Sequence, residues 1–223
     1  MRQVMQILGI LLLLGLLYAI AVGLGLTNSF KHRKNNVKSQ MITDFEYPND
    51  DFDWTTGGYV KMEPSTENQT HGKRSAKLTF FLASQFYPTP TPGANWAPQV
   101  VMDTDSVTRL PVYEWQDYAN LKMDVFNDQA QPVTYSIEVA DSHAYLYRKS
   151  DVLTPKKVTN ISIPLSDLVQ QRVDLSNIRS LKFWLDMSGA TQPLVVYLDN
   201  VRLEGDAATA AAAAKNPPKP KTP

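Results

Sequence analysis

Short runs of alternating apolar and polar residues, divided by turn residues, fill the chain from residue 41 to residue 204. In the run at 119–126, for example, Leu121, Met123 and Val125 alternate with other residues. Successive side chains of a strand point to opposite faces of its sheet, so this pattern predicts strands with one buried and one solvated face. Many short strands with almost no helix predict an all-β fold, a jelly-roll β-sandwich. The predicted strands are Met41–Glu46, Tyr59–Glu63, Ala76–Leu82, Gln99–Met102, Ala119–Phe126, Val133–Ala140, Val158–Ile163, Leu181–Asp186 and Leu194–Leu203.

Two segments of this body lack the alternation. Ser166 can cap a helix of little more than one turn at Asp167–Gln171. The segment Ser84–Pro98 contains four prolines, which exclude it from the middle of a sheet. We expect it to form a long surface loop, a kind of loop that is often functional. Its Tyr87 and Trp96 can either hold the loop against the body or contact a ligand.

The chain outside this body has a different composition. Residues 7–26 are almost wholly apolar and uncharged, and a helical stretch of about 20 such residues is long enough to cross a bilayer. This stretch predicts one N-terminal helix, either a transmembrane anchor or a signal peptide cleaved near Ala19–Ala21. The predicted parts of the chain are the helical segment 1–30, a basic linker 31–40, a single domain 41–205, and a disordered Ala/Pro/Lys-rich tail 206–223.

The orientation of the N-terminal helix has two opposing indications. The basic cluster Lys31–Lys34 follows the helix, and the positive-inside rule would place the domain in the cytoplasm. The function that the residues of the domain favour requires export instead. We expect an extracytoplasmic domain, anchored at the cell envelope through the membrane helix, or secreted if that helix is cleaved.

Composition argues against several classes of function. The chain has 22 basic and 22 acidic residues and no formal net charge, whereas a nucleic-acid-binding protein normally has a basic excess. It has no cysteine, and therefore no disulfide, no thiol nucleophile and no cysteine metal site. His32, His71 and His143 lack the close spacing of a zinc-binding pair.

Carboxylates lie in or beside the apolar runs at both ends of the domain. Asp44 and Glu46 belong to the first predicted strand, and Asp199 belongs to the last. A buried carboxylate is costly unless it is paired or bound to a metal. The pattern suggests that the first and last strands are neighbours joined by a hard cation such as calcium. The alternative is that Glu46 and Asp199 accept hydrogen bonds from nearby amides or pair with Arg202.

An ordered set of short motifs resembles carbohydrate-binding modules of the galactose-binding-like jelly-roll type. The motifs are Asp44-Phe45-Glu46, Trp54, the segment Thr70–Leu78, and the later segments Tyr118–Val125, Asn160–Leu165 and Tyr197–Leu203. The resemblance implies a structural calcium ion held by Glu46 and Asp199, with Glu67 and the Lys73 carbonyl as weaker ligands and Asp44 also available. The same fold serves roles without sugar, so the fold alone does not determine the function.

The resemblance also implies sugar binding on a sheet face or at loop ends. Sugars have apolar faces that stack on aromatic rings and hydroxyl groups that need fixed polar partners. An outward-facing Trp between charged residues is unusual unless it is covered or binds a ligand. The alternative is that this Trp packs under the proline-rich loop. The candidate sugar-binding residues are Trp184, Asp124, Glu138 and Asp186 on strand faces, and Tyr145, Tyr147 and Arg148 on a predicted loop. Trp54 and Trp115 are predicted to close the ends of the sandwich.

The sequence therefore favours a non-catalytic module that binds a polysaccharide or glycan at the cell envelope. The alternative is a structural module whose sheet face docks a protein partner. A glycosidase would need two carboxylates about 5–10 Å apart, and Asp124 and Glu138 on neighbouring strands could meet that distance. No nucleophile elbow, glycine-rich phosphate loop or histidine dyad is present in the sequence.

Overall fold

The computed structural model describes residues 38–47, 50, 54–82, 98–103 and 110–206. The predicted membrane segment 7–26, the tail from residue 207, and Tyr87 and Trp96 of the proline-rich loop lie outside these residues. In the described part of the chain, no helix is both long enough and apolar enough to cross a membrane. The elements are β1 Ser39–Thr43, β2 Thr55–Gly57, β3 Val60–Ser65, β4 Ser75–Phe80, β5 Gln99–Asp103, β6 Asn120–Asn127, β7 Val133–Asp141, β8 Leu146–Leu153, β9 Val158–Pro164, α1 Leu165–Gln170, β10 Ile178–Leu185 and β11 Leu194–Glu204.

The strands form two antiparallel sheets. One has six strands in the order β3-β4-β11-β6-β9, with β1 also paired to β11, and the other has five strands in the order β2-β5-β10-β7-β8. The chain crosses repeatedly from one sheet to the other, and this alternation is typical of a jelly roll. The predicted all-β sandwich is confirmed.

The core lies between the two sheets and follows the predicted alternation. Leu121, Met123 and Val125 of β6 are at most 1% exposed. The Phe183 ring of β10 stacks on Tyr135 of β7 with 6.0 Å between ring centroids. Burial of each such side chain contributes about 1.5–3 kcal/mol. Trp54 and Trp115 are also buried in this core.

The first and last strands are neighbours, as the sequence suggested. Strand β1 pairs antiparallel with the end of β11, from Ser39 opposite Glu204 to Thr43 opposite Val201. The pairing starts within the predicted basic linker, two residues before residue 41. Asn200 has a positive φ of 55°, and the register of β11 against β6 shifts between Asp199 and Arg202. This irregularity is a bulge, a feature that bends a strand and redirects its side chains.

Two strands were not predicted, and the helix boundary differs. Strand β8 lies at the edge of its sheet and has charged residues on both of its faces. Its sequence therefore does not alternate clearly between apolar and polar residues. Strand β2 has only three residues. The helix α1 starts one residue before the expected cap, and its N-cap is Pro164 without a side-chain hydrogen bond. Leu165 and Leu168 fix the helix in place by burial in the core.

Candidate functional site

The side chains that point away from the core on the five-stranded sheet form a continuous polar surface. In the antiparallel register, Trp184 lies opposite Gln99 on one side and Ser136 on the other. The next row brings Glu138 between Lys182 and Arg148. We call this surface the polar face and define it by Gln99, Ser136, Glu138, Arg148, Ser150, Lys182 and Trp184.

Glu138 is the centre of an ion-pair network on the polar face. Its Oε2 accepts hydrogen bonds from Arg148 Nη2 at 2.6 Å and Nε at 3.2 Å, and its Oε1 accepts one from Lys182 Nζ at 2.9 Å. The Glu138 side chain is only 7% exposed. Burial of the carboxyl disfavours ionisation, but the hydrogen bonds from Lys182 and Arg148 outweigh it and lower the pKa of Glu138. Glu138 is therefore an ionised carboxylate, and both of its oxygens accept hydrogen bonds.

The Arg148 guanidinium also lies over the Trp184 ring. Its Cζ is 5.3 Å from the ring centroid, within the range of a cation–π interaction. The Trp184 side chain is partly buried. Next to it, the hydroxyls of Ser136 and Ser150 share a hydrogen bond of 2.7 Å. Two adjacent rows of the polar face thus bring together an aromatic ring, a guanidinium over that ring and two hydroxyls.

A cavity of about 320 Å³ lies where the strands of this sheet end. The Asp186 N–H donates to the Thr134 carbonyl at 2.9 Å, which continues the ladder of β7 and β10 into the cavity wall. The Asp186 carboxylate is exposed, and the pKa of its carboxyl is lowered by hydrogen bonds from Ser188. Two loops line the cavity with amide and hydroxyl side chains, among them Gln129, Gln131, Ser188, Thr191 and Gln192.

The structure places Asp124 away from the polar face. Strand β6 belongs to the six-stranded sheet, whereas β7 and β10 belong to the five-stranded sheet. The chain between β6 and β7 crosses from one sheet to the other, and alternation within single strands does not reveal this crossing. Asp124 and Glu138 therefore lie on opposite sides of the sandwich and cannot act together on one glycosidic bond.

The three residues predicted on a loop divide between different surfaces. Arg148 belongs to strand β8 and lies on the polar face. Tyr147 is in the same strand but packs against the core, and burial, followed by the charge of Asp167, raises the pKa of its hydroxyl. Tyr145 lies in the turn between β7 and β8 and is 47% exposed. Of these three residues, only Arg148 joins Trp184.

The predicted calcium ligands converge on the backbone of residues 70–74, which we call the Gly72 turn. Asp199 Oδ2 accepts hydrogen bonds from the N–H groups of Thr70 at 2.6 Å and His71 at 2.8 Å. Glu46 Oε1 accepts from the N–H groups of Lys73 at 2.5 Å and Arg74 at 2.6 Å. These bonds match the alternative in which the carboxylates hold nearby amides. Arg202 pairs with Glu204 rather than with either carboxylate.

The other predicted ligands have separate roles. Asp44 Oδ2 lies 3.5 Å from Nδ1 of His71 at the edge of the Gly72 turn. Glu67 accepts a hydrogen bond from the Tyr197 hydroxyl at 2.5 Å. Among the described residues, no three acidic or histidine side chains are spaced to hold a metal ion together. A calcium ion would therefore need backbone carbonyls, such as that of Lys73, beside Glu46 and Asp199. Calcium binding at this turn stays a prediction.

Sequence reasoning did not select four residues of the polar face. All four side chains lie on the outer face of the sheet with Glu138 and Trp184. Alternation alone could have identified Ser136 and Lys182, because they belong to the same strands as Glu138 and Trp184. The other two depend on the pairing of β5 and β8 with the sheet, and this pairing is not visible in the sequence. The four residues are Ser136, Lys182, Gln99 and Ser150.

Comparison of the sequence with family models and with curated proteins finds no match. Solved structures do match the fold. The family 11 carbohydrate-binding module of a cellulosomal cellulase of Clostridium thermocellum has a TM-score of 0.51 at 16% identity, over 76% of this chain and 95% of that module. An exo-β-agarase has a TM-score of 0.55 at 15% identity over 74% of this chain, and another agarase has 0.53 at 12% over 75%.

The chain spans only about a quarter of the length of the two agarases, 25% and 24%. It spans nearly all of the family 11 module. At these identities the likeness shows the fold alone. The resemblance that the sequence motifs predicted is confirmed at that level: the described domain has the jelly-roll sandwich fold of carbohydrate-binding modules.

Proposed function

We propose that this chain is a non-catalytic module that binds a polysaccharide on the polar face of its five-stranded sheet. The observation that carries the proposal is the row formed by Gln99, Trp184, Ser136 and Ser150, with Arg148 stacked on the indole ring. An aromatic ring and several fixed polar groups on one surface are what a sugar chain requires. The fold match to a carbohydrate-binding module over 95% of that module supports the same role.

The shape of the polar face suits a chain rather than a single sugar. The face extends across neighbouring strands that lie about 4.8 Å apart, and it leads into the cavity beside Asp186. The amide and hydroxyl side chains of that cavity can hydrogen-bond sugar hydroxyls. A polysaccharide lying along this surface would contact it through several sugar units at once, so that weak individual contacts add to a useful affinity.

The state of Glu138 supports a binding role without catalysis. A catalytic acid must carry a proton near neutral pH, which usually requires a raised pKa. The pKa of Glu138 is instead lowered by its hydrogen bonds to Lys182 and Arg148. Its pairing partner in a hypothetical glycosidase, Asp124, lies on the other sheet.

Binding of the purified full-length chain to a panel of insoluble and soluble polysaccharides tests the proposal. Trp184→Ala should weaken binding at least tenfold. Phe126→Ala is the matched control, because Phe126 is also a partly buried aromatic residue on an outer face, but of the six-stranded sheet. Equal loss in both variants would indicate a stability effect. No binding of the folded wild type to any polysaccharide would overturn the proposal and favour docking of a protein partner.

The calcium ion and the attachment of the domain to the cell envelope by the N-terminal helix are further parts of this proposal. Both rest on the sequence. Neither is needed for the polar face to bind a sugar chain.

A further inference from the structure

We infer that the polysaccharide bound on the polar face is acidic, and that Arg148 recognises its carboxylate or sulfate groups. This inference rests on the proposed function and adds the chemical class of the ligand. The guanidinium is fixed from the side by Glu138 and from below by the ring of Trp184.

The bonds to Glu138 use one edge of the guanidinium and leave another edge free. Arg148 donates through Nε and Nη2 to the same carboxylate oxygen. A guanidinium has five N–H donors, so three remain, on Nη1 and on the outer side of Nη2. Among the described residues, these three donors have no protein acceptor. They form the end-on fork that matches the two oxygens of a carboxylate or sulfate.

The free edge is accessible. The Arg148 side chain is 56% exposed, although both of its anchors are largely buried. An exposed arginine normally samples many rotamers, and ordering it on binding costs entropy. Here Glu138 and Trp184 already fix the side chain, so the two donors of Arg148 are in position before an anion binds.

The charge of the surrounding surface is consistent with an anionic ligand. The network contains two cations, Arg148 and Lys182, around the single carboxylate of Glu138, and so retains one positive charge. Lys182 is 29% exposed and adds to the attraction. The other carboxylates in the strands of this sheet lie in different rows: Asp103 is opposite Ser180, Asp141 is opposite Ile178 and Asp151 is opposite Tyr135. Asp186 follows the end of β10.

A neutral sugar chain would use this arrangement poorly. The guanidinium covers one face of the Trp184 ring, and that face is then not available for stacking against a sugar ring. An acidic sugar would instead place its anionic group on the fork of Arg148 and its hydroxyls on Ser150 and Gln99. The ligand class that best fits the row is therefore an acidic polysaccharide.

Pairs of polysaccharides with the same backbone test this inference on the full-length chain. One pair is polygalacturonate and its methyl ester, and the other is a sulfated galactan and its desulfated form. We expect at least tenfold tighter binding to one charged form than to its neutral partner. Because salt screens ionic contacts, the affinity for the charged form should fall when the salt concentration is raised from 50 to 300 mM. The pair that shows the difference identifies carboxylate or sulfate as the recognised group.

Variants assign the effect to Arg148. Arg148→Gln should remove the preference for the charged form, and Arg148→Lys should restore the preference only in part. Lys61→Gln is the matched control, because Lys61 is 59% exposed and also pairs with a glutamate, but on the other sheet. Equal affinity for charged and neutral forms, or an equal effect of Lys61→Gln, would overturn the inference while the proposed function stands. Absence of binding to all four polymers would overturn the inference, and absence of binding to the whole polysaccharide panel would overturn both.

Discussion

Asp199 and Asp124 are cross-strand neighbours, and their carboxylates approach the same hydroxyl group. Asp199 of β11 lies opposite Asp124 of β6, and Thr70 Oγ1 is 3.1 Å from Oδ2 of the first and 2.8 Å from Oδ2 of the second. A hydroxyl has one proton, so it can donate to only one of them. Burial raises the pKa of Asp199, against the opposing effect of amide hydrogen bonds from His71 and Thr70. Two carboxylates are thus held together under the Gly72 turn, and ionisation of both would bring like charges together.

Relief of this repulsion should stabilise the domain. In Asp124→Asn, the amide oxygen can keep the hydrogen bonds from Asn200 and Thr70, and the new amide can donate to Asn160 if that side chain turns over. We expect a gain of about 0.2–1 kcal/mol at pH 7, measured by urea denaturation in the presence of a chelator. Glu63→Gln, which removes an exposed carboxylate from the other edge of the sheet, should change little. A loss of stability in Asp124→Asn would contradict this interpretation.

The network around Glu138 should make stability depend on pH in the acid range. Because the folded state lowers the pKa of Glu138 below its usual value near 4.5, its contribution is complete above that value and is lost as the pH falls below it. Glu138→Gln should cost about 1–2 kcal/mol at pH 7, and the difference from the wild type should shrink as the pH is lowered from 5 to 3. Urea titrations across this range measure it, and a constant difference would be inconsistent with an ionised Glu138.

The Gly72 turn should tolerate no side chain at its centre. Gly72 has a φ of +64°, and a Cβ there would overlap the Glu46 carboxylate. Gly72→Ala should therefore cost more than the roughly 1–2 kcal/mol that a left-handed conformation costs an alanine. Gly189→Ala is the control, since Gly189 has a φ of +82° but open space around its Cβ position. Thermal unfolding of both variants separates the two effects, and equal losses would mean that Glu46 simply moves aside.

Calcium binding at this turn can be tested independently of sugar binding. If Glu46 and Asp199 hold a calcium ion, a chelator should lower the melting temperature of the wild type by several degrees. Asp199→Ala should melt lower than the wild type and should not respond to calcium or chelator. An unchanged wild-type melting curve in chelator would show that the prediction is wrong, and that amide hydrogen bonds alone hold the turn.

The sequence predicted those parts of the fold that depend on local patterns. The alternation of Leu121, Met123 and Val125 identifies β6 because one face of that strand is buried and the other is not. The same logic fails for β8, where Tyr147 packs inward while Lys149 and Asp151 share its side of an edge strand. Edge strands bury less surface, and so their composition is less constrained.

The candidate site was predicted only in part, because it depends on which strands pair. Glu138 and Trp184 were identified from residue type and strand face, and Arg148 was identified as a loop residue, yet their contact requires the order β10-β7-β8. Asp124 was assigned to the same surface because its strand shows the same pattern. Sequence patterns give the face of each strand, but the assignment of a strand to one sheet or the other depends on long-range packing.

The pairing of Ser39 with Glu204 also determines how the domain would respond to tension. The chain enters and leaves the domain at the same end of the β1–β11 ladder, where the Gly205 N–H donates to the Lys38 carbonyl. A force that separates the two flanking segments would break the hydrogen bonds of this ladder one after another, as in a zipper, instead of shearing them all at once. A domain attached through one flank alone would carry no such load. A domain held at both flanks would begin to unfold at β1.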